Sequence, residues 1–245
     1  MEKQYDEDNF FNMYKEIRHM PMSYNEIVEF PEIKKHMPNL KNMDVLDIGC
    51  GFGHLLKYML QFKPASMTGL DSSANMITHC REDDELKDVT LIHDGILSAS
   101  DLSKYDFIVS SLVFHYIEDF DALAKKLSGL LNREGRLLFT AEHPIQTATV
   151  EKNLVLEDEQ GMYARVDHYF DESVRDSPWR DNIVIKKYHH KMDTILNSLI
   201  QNGLTIEAVK ELGDSAEVFE HYPDERIHKL QTFPPFLLVK CRKEK

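Results

Sequence analysis

Residues 45–56 read Val-Leu-Asp-Ile-Gly-Cys-Gly-Phe-Gly-His-Leu-Leu, a carboxylate followed by three glycines at alternate positions. Such glycines let the backbone lie flat against a ligand where any Cβ would collide, and they accept positive φ angles. A helix starting at His54 adds N–H groups that have no intrahelical partner. Asp47, Gly49, Cys50 and Gly51 therefore read as the floor of a binding site. The dinucleotide fingerprint, G-x-G-x-x-G/A, needs a small third residue for helix–strand packing. Counted from Gly49, that position is His54. A pyrophosphate beside Asp47 would also meet a like charge. A cationic ligand with an amino group suits this carboxylate better.

The Asp-x-Gly-x-Gly-x-Gly pattern resembles motif I of the class I S-adenosylmethionine-dependent methyltransferases. Ligands of open α/β sheets lie outside the carboxyl ends of the strands, and the remaining candidates sit at such ends. Asp71, followed by Ser72, can accept from both hydroxyls of an adenosine ribose; its other reading is a helix N-terminal acid favoured by the macrodipole. Asp94-Gly95-Ile96 offers an acceptor for the adenine amino group and an apolar side chain for the ring, or is simply a turn. Carbonyls at Ser111 or Leu112 are expected to face the ammonium of the methionine part. His115 and Tyr116 follow, near the place where the methyl group would leave, and the next strand ends in Glu142-His143-Pro144. With 12 histidines in the chain, most are structural. His115 and His143 stand out as base candidates because their strand ends should converge on one pocket. His189 is a third, with Tyr116 or Asp167 as orienting partners. A base is needed only when the acceptor loses a proton.

The elements that must position these residues alternate. Strands are expected at Val45–Ile48, Ala65–Leu70, Val89–His93, Tyr105–Ser110 and Arg136–Ala141. Helices start at His54 and after Ser72-Ser73, and another spans Phe120–Leu131, stopped by Asn132-Arg133-Glu134-Gly135. Near-continuous apolar strands separated by helices indicate a parallel sheet covered on both faces. Residues 143–187 are polar, aromatic-rich and too long for a bare loop. They read as a cap inserted over the strand ends, with Tyr163, His168, Tyr169, Phe170, Arg175 and Trp179 either lining a pocket or forming a satellite cluster. A helix at Met192–Asn202 and strands at Thr205–Leu212 and Pro235–Cys241 close the chain, the last of them antiparallel.

At 245 residues the chain fits one elaborated α/β domain. The expected divisions are an N-terminal helical lid at 1–42, a cofactor-binding core at 43–142, the cap at 143–187 and a closing unit at 188–245. The formal charge of −13, from 29 basic and 42 acidic side chains, repels phosphate backbones and argues against nucleic acid. No apolar run approaches a membrane span. The acidic N-terminus does not read as a signal peptide, and Cys50, Cys80 and Cys241 lack metal or disulfide spacing. A cytoplasmic setting without a metal is the expectation.

The whole chain is similar to bacterial small-molecule methyltransferases of the methyltransferase type 11, ubiquinone/menaquinone-biosynthesis-like group. Beyond the glycine motif the similarity rests on FFNMYKEIR, SYNEIVEFPEI, SSLVFHYIED, AEHPIQTA, VDHYFDESVR and KYHHKMDTILNSLIQNGL. It implies a Rossmann-like, mostly parallel seven-stranded sheet with an antiparallel C-terminal strand. It also implies S-adenosylmethionine as cofactor, S-adenosylhomocysteine as product and a small-molecule methyl acceptor. Gly49, Gly51, Asp71 and Asp94 would line the cofactor, and Tyr14 and Arg18 would close over its methionine end. Ser173 and His190 depart from the glycine and arginine common in the group. The other function classes are a cofactor-binding protein without turnover and a nicotinamide-dependent oxidoreductase, the latter disfavoured by His54 and Asp47.

Overall fold

A π-helical turn, Asn25–Glu29, leads directly into α1, Phe30–His36, whose first turn carries Pro31. The chain then enters β1, Asp44–Ile48, buried from Val45 onward as its unbroken apolar run requires. The units that follow are α2 (His54–Leu60), β2 (Ser66–Asp71), α3 (Ala74–Arg81), β3 (Thr90–His93), β4 (Tyr105–Ser111), α4 (Phe120–Leu130) and β5 (Leu131–Glu142). Ser73 caps α3 by accepting the Met76 N–H, as the serine pair suggested. The structure is a computed structural model that describes residues 23–150, 154–178, 184–214, 218, 220, 229–230 and 232–244. The expected lid residues Tyr14 and Arg18, and Trp179, lie outside the described residues.

After β5 come α5 (Pro144–Ala148), the ribbon β6–β7 (Val155–Asp158 with Gly161–Ala164) and a second ribbon, β8–β9 (Val174–Pro178 with Val184–Tyr188). Then α6 (Met192–Gln201), β10 (Leu204–Leu212) and β11 (Phe236–Lys243) complete the chain. The main sheet has seven strands in the order β10-β11-β5-β4-β1-β2-β3. It is parallel except for β11, which runs against both β5 and β10. The expected mostly parallel sheet with an antiparallel finish is therefore what forms.

This order places the site. The chain begins its sheet at β1, builds outward through β2 and β3, then returns to lay β4 on β1's other side. The β1–β4 boundary is a topological switch point, where the loops after two neighbouring strands diverge and leave a crevice. One core layer packs α4, α6, Phe114 and Phe139 on one face of the sheet. The other packs Val28, Ile33 and the apolar sides of α2 and α3 on the opposite face.

Two sequence expectations shift. Leu131 already pairs with Tyr105, whereas Phe107 pairs with Arg136, so Asn132–Gly135 form a looped-out irregularity inside β5 rather than a break before it. Glu134 makes that turn with φ of 62°. The polar stretch at 143–187 is organised in part by one buried cation. The Arg175 guanidinium donates to the carbonyls of Ala148, His168, Asp171 and Ser173 and so ties four points of this segment to one side chain. Among the described residues no helix is long and apolar enough to cross a membrane.

Candidate functional site

The turn after β1 is fixed by backbone bonds to the neighbouring strand. The Gly49 and Cys50 N–H groups both donate to the Leu70 carbonyl, at 2.7 and 3.1 Å. The Gly51 N–H donates to Asp71 Oδ2 at 2.8 Å, while Asp71 Oδ1 accepts from the Ser73 N–H at 2.9 Å. Asp71 thus braces the glycine turn and the entry to α3 together. Gly49 has φ of +71°, and a Cβ there would stand 2.2 Å from Val113 Cγ2. Gly51 has φ of +52° but its Cβ would meet nothing within 4 Å. Gly49 is required by the fold, whereas Gly51 faces open space.

That space is a cleft of about 760 Å³, within the usual range for small-ligand sites. Asp47, Gly49, Cys50, Gly51, Asp71, Ser72, Asp94, Gly95, Ile96, Ser111, Leu112 and Tyr116 all line it. The sheet therefore brings together every described cofactor candidate chosen from the sequence. Asp47 is buried on the floor. Hydrogen bonds from Ser98 Oγ and the Gly95 N–H hold the Asp94 carboxyl below the usual range, so it is an anionic acceptor. A hydrogen bond with Cys80 and burial push the Cys50 thiol up, which keeps it a protonated wall atom rather than a nucleophile. Leu112 turns the chain at the end of β4 with φ of 56°, and its N–H is bonded to Thr140. Left-handed backbone at a bulky residue is uncommon and persists where surrounding structure enforces it.

The histidines are placed differently. His115 is buried beside a second, minor pocket that Phe114, Glu142 and Tyr188 also line, and it does not line the cleft. Its Nδ1 accepts the Glu142 N–H at 3.2 Å, and burial lowers its pKa to about 4. His143 also lies off the cleft, capping α5 through Nδ1 and meeting Glu211 Oε1 with Nε2 at 2.8 Å. His189 is buried between Thr147 and the Tyr169 carbonyl. Asp167 pairs with Arg165 and His168. The strand ends converge, but these rings turn away from the shared space, so the expected meeting of His115 and His143 in one pocket does not occur.

Several cleft residues were not chosen from the sequence. Glu29 and Phe30 enter from the segment before β1, and Glu118, Lys186 and Tyr188 close the far end. In β9 the alternation is clear once the strand is known: Lys186 and Tyr188 face the cleft, while Ile185 and Lys187 are buried behind them. Lys187 Nζ meets Glu142 Oε1 at 2.5 Å and ties this wall to the end of β5. Glu142 keeps 22% of its side-chain surface exposed, so losing its partner costs less than breaking a fully buried pair. Lys187→Met is expected to destabilise by about 2 kcal/mol at pH 7, a fall in Tm of about 4–8 °C. Adding Glu142→Gln should restore most of that loss in thermal unfolding. No recovery in the double variant would show that the pair does not carry the effect.

A methyltransferase-domain family model matches residues 46–137, from β1 into β5. An uncharacterized protein of Haemophilus influenzae is 35% identical, over 98% of this chain and 96% of its own. The crystal structure of a candidate S-adenosylmethionine-dependent methyltransferase from Listeria monocytogenes superposes with a TM-score of 0.79 at 30% identity, covering 89% of this chain and 97% of that one. An S-adenosylmethionine-dependent methyltransferase from Mesorhizobium loti gives a TM-score of 0.78 at 28% identity, covering 88% and 97%. With the glycine turn, its bracing aspartate and the switch-point cleft in place, the chain belongs to the S-adenosylmethionine-dependent methyltransferase family.

Proposed function

We propose that the protein transfers a methyl group from S-adenosylmethionine to a small-molecule acceptor by in-line displacement. The observation that carries this reading is a single cleft joining the glycine turn to the Tyr116–Glu118 and β9 wall. The residues fit the cofactor: the open direction at Gly51 leaves room for it, Asp71 is an acceptor for ribose hydroxyls, and Asp94 with Ile96 suits an adenine. When bound, it supplies an activated methyl on a sulfonium, so the protein needs chiefly to align an acceptor and exclude water.

The acceptor end is bounded by Tyr116, Ile117, Glu118, Lys186 and Tyr188. Burial and the neighbouring Glu118 carboxylate, with which it shares a hydrogen bond, push the Tyr188 phenol up, so its hydroxyl stays protonated beside that carboxylate. Where the acceptor carries a proton that must leave, Glu118 is the cleft-lining carboxylate at that end to take it. The cap over 143–187 would then serve the acceptor through β9.

Purified protein incubated with methyl-tritiated S-adenosylmethionine and a bacterial metabolite extract tests this. Label is expected in a compound that passes a small-pore filter, and only when the protein is present. Label retained on protein or RNA would overturn the small-molecule assignment, and absence of any transfer would overturn turnover.

A further inference from the structure

Glu29 is placed unusually for a carboxylate. It closes the π-helical turn ahead of α1 and is only 1% exposed, yet it lines the cleft. Its Oε1 accepts from Ser111 Oγ at 2.6 Å and from Thr140 Oγ1 at 2.5 Å. Asn25 Nδ2 lies 3.4 Å from Oε2. Ser111 and Thr140 are directly paired across β4 and β5, so one carboxylate gathers the ends of two central strands. Thr140 Oγ1 also accepts the N–H of Leu112 at 3.1 Å, the residue in left-handed conformation.

Burying a carboxylate is costly unless it is bonded, and hydroxyl donors to the ionised form favour its charge. A π turn is rare and recurs at functional sites. Here the turn delivers a carboxyl group to the cleft edge on the β4–β5 side, whereas the acceptors suited to adenosine, Asp71 and Asp94, lie on the β2–β3 side. An elongated ligand whose nucleoside occupies the β2–β3 side extends its other arm toward Ser111 and Glu29. In S-adenosylmethionine that arm is an amino acid, and its ammonium has three donors for such an acceptor.

We propose that Glu29 binds the ammonium of the cofactor's amino-acid arm, held in position by the Ser111 and Thr140 hydroxyls. The inference rests on the cofactor placement proposed above. Calorimetry on the full chain separates the two, using S-adenosylmethionine, S-adenosylhomocysteine and 5′-methylthioadenosine, which keeps the nucleoside and thioether but lacks the amino-acid arm. Glu29→Gln should weaken S-adenosylmethionine and S-adenosylhomocysteine alike, by about tenfold or more, and leave 5′-methylthioadenosine within twofold of wild type. Equal losses for all three would make Glu29 a brace for the strand ends, and unchanged affinities would remove it from the site. A loss confined to S-adenosylmethionine would place the carboxylate at the sulfonium instead. Each of these overturns the ammonium assignment alone. Wild-type protein that binds none of the three overturns the cofactor placement and this inference together. Should Glu29→Gln fail to fold, Glu29→Asp keeps the charge but withdraws it by one methylene and is expected to show the same selective loss.

Discussion

Gly51→Val is expected to leave a folded protein that no longer binds S-adenosylhomocysteine measurably, with Kd raised about a hundredfold or more, or about 2.7 kcal/mol. The substitution carries two separate costs. A β-branched residue at φ of +52° strains the backbone by about 1–2 kcal/mol, which lowers Tm by a few degrees in a chain of this size. Its side chain meets no protein atom within 4 Å at Cβ, so it projects into the cleft where the ligand would lie. Gly49→Ala is the opposite case, since its Cβ would stand 2.2 Å from Val113 Cγ2 and must displace that side chain before any ligand arrives. Calorimetry paired with thermal melts should show affinity lost and fold kept at position 51, and fold compromised at 49. Full affinity in Gly51→Val would detach the glycine turn from cofactor binding.

The contrast between these two glycines marks what was legible in the sequence. Asp47, the three glycines and Asp71 are close in the chain or tied to consecutive strand ends, and local rules place them. The parallel core followed from apolar runs and caps, and even the antiparallel end was signalled by a connector without helical pattern. Glu29 was not legible, because its role depends on Ser111 and Thr140, hydroxyls 82 and 111 residues away. A carboxylate on the face shared with buried Val28 and Ile33 was the available signal. Lys186 and Tyr188 were hidden for a related reason. Val184–Tyr188 is a short ribbon strand in a polar segment, and its alternation has meaning only once one face is known to meet the cleft. The histidines show the converse. Proximity to a strand end in sequence does not fix which way the ring turns, and at His115 the Glu142 N–H and the surrounding aromatic side chains turned it inward.

That inward turn predicts how stability depends on pH. His115 titrates at about 4 in the folded protein because burial disfavours the imidazolium, against about 6.5 in an unfolded chain. The unfolded state therefore gains a proton that the folded state refuses as pH falls below about 6.5. Stability from this residue is fully present above that pH and is lost progressively toward pH 4, amounting to about 2–3 kcal/mol by pH 4.5. Burial lowers His36, His143 and His189 in the same direction, and Glu142 is held low by Lys187, so the whole protein should weaken in acid. The share belonging to His115 is isolated by His115→Gln, whose side chain can still accept the Glu142 N–H but takes up no proton. Denaturant unfolding at pH 7.0, 5.5 and 4.5 should show the variant losing about 2–3 kcal/mol less than wild type across that range, whatever its stability at pH 7. Parallel losses in the two proteins would mean that the ring takes up a proton in the folded protein as readily as in the unfolded chain.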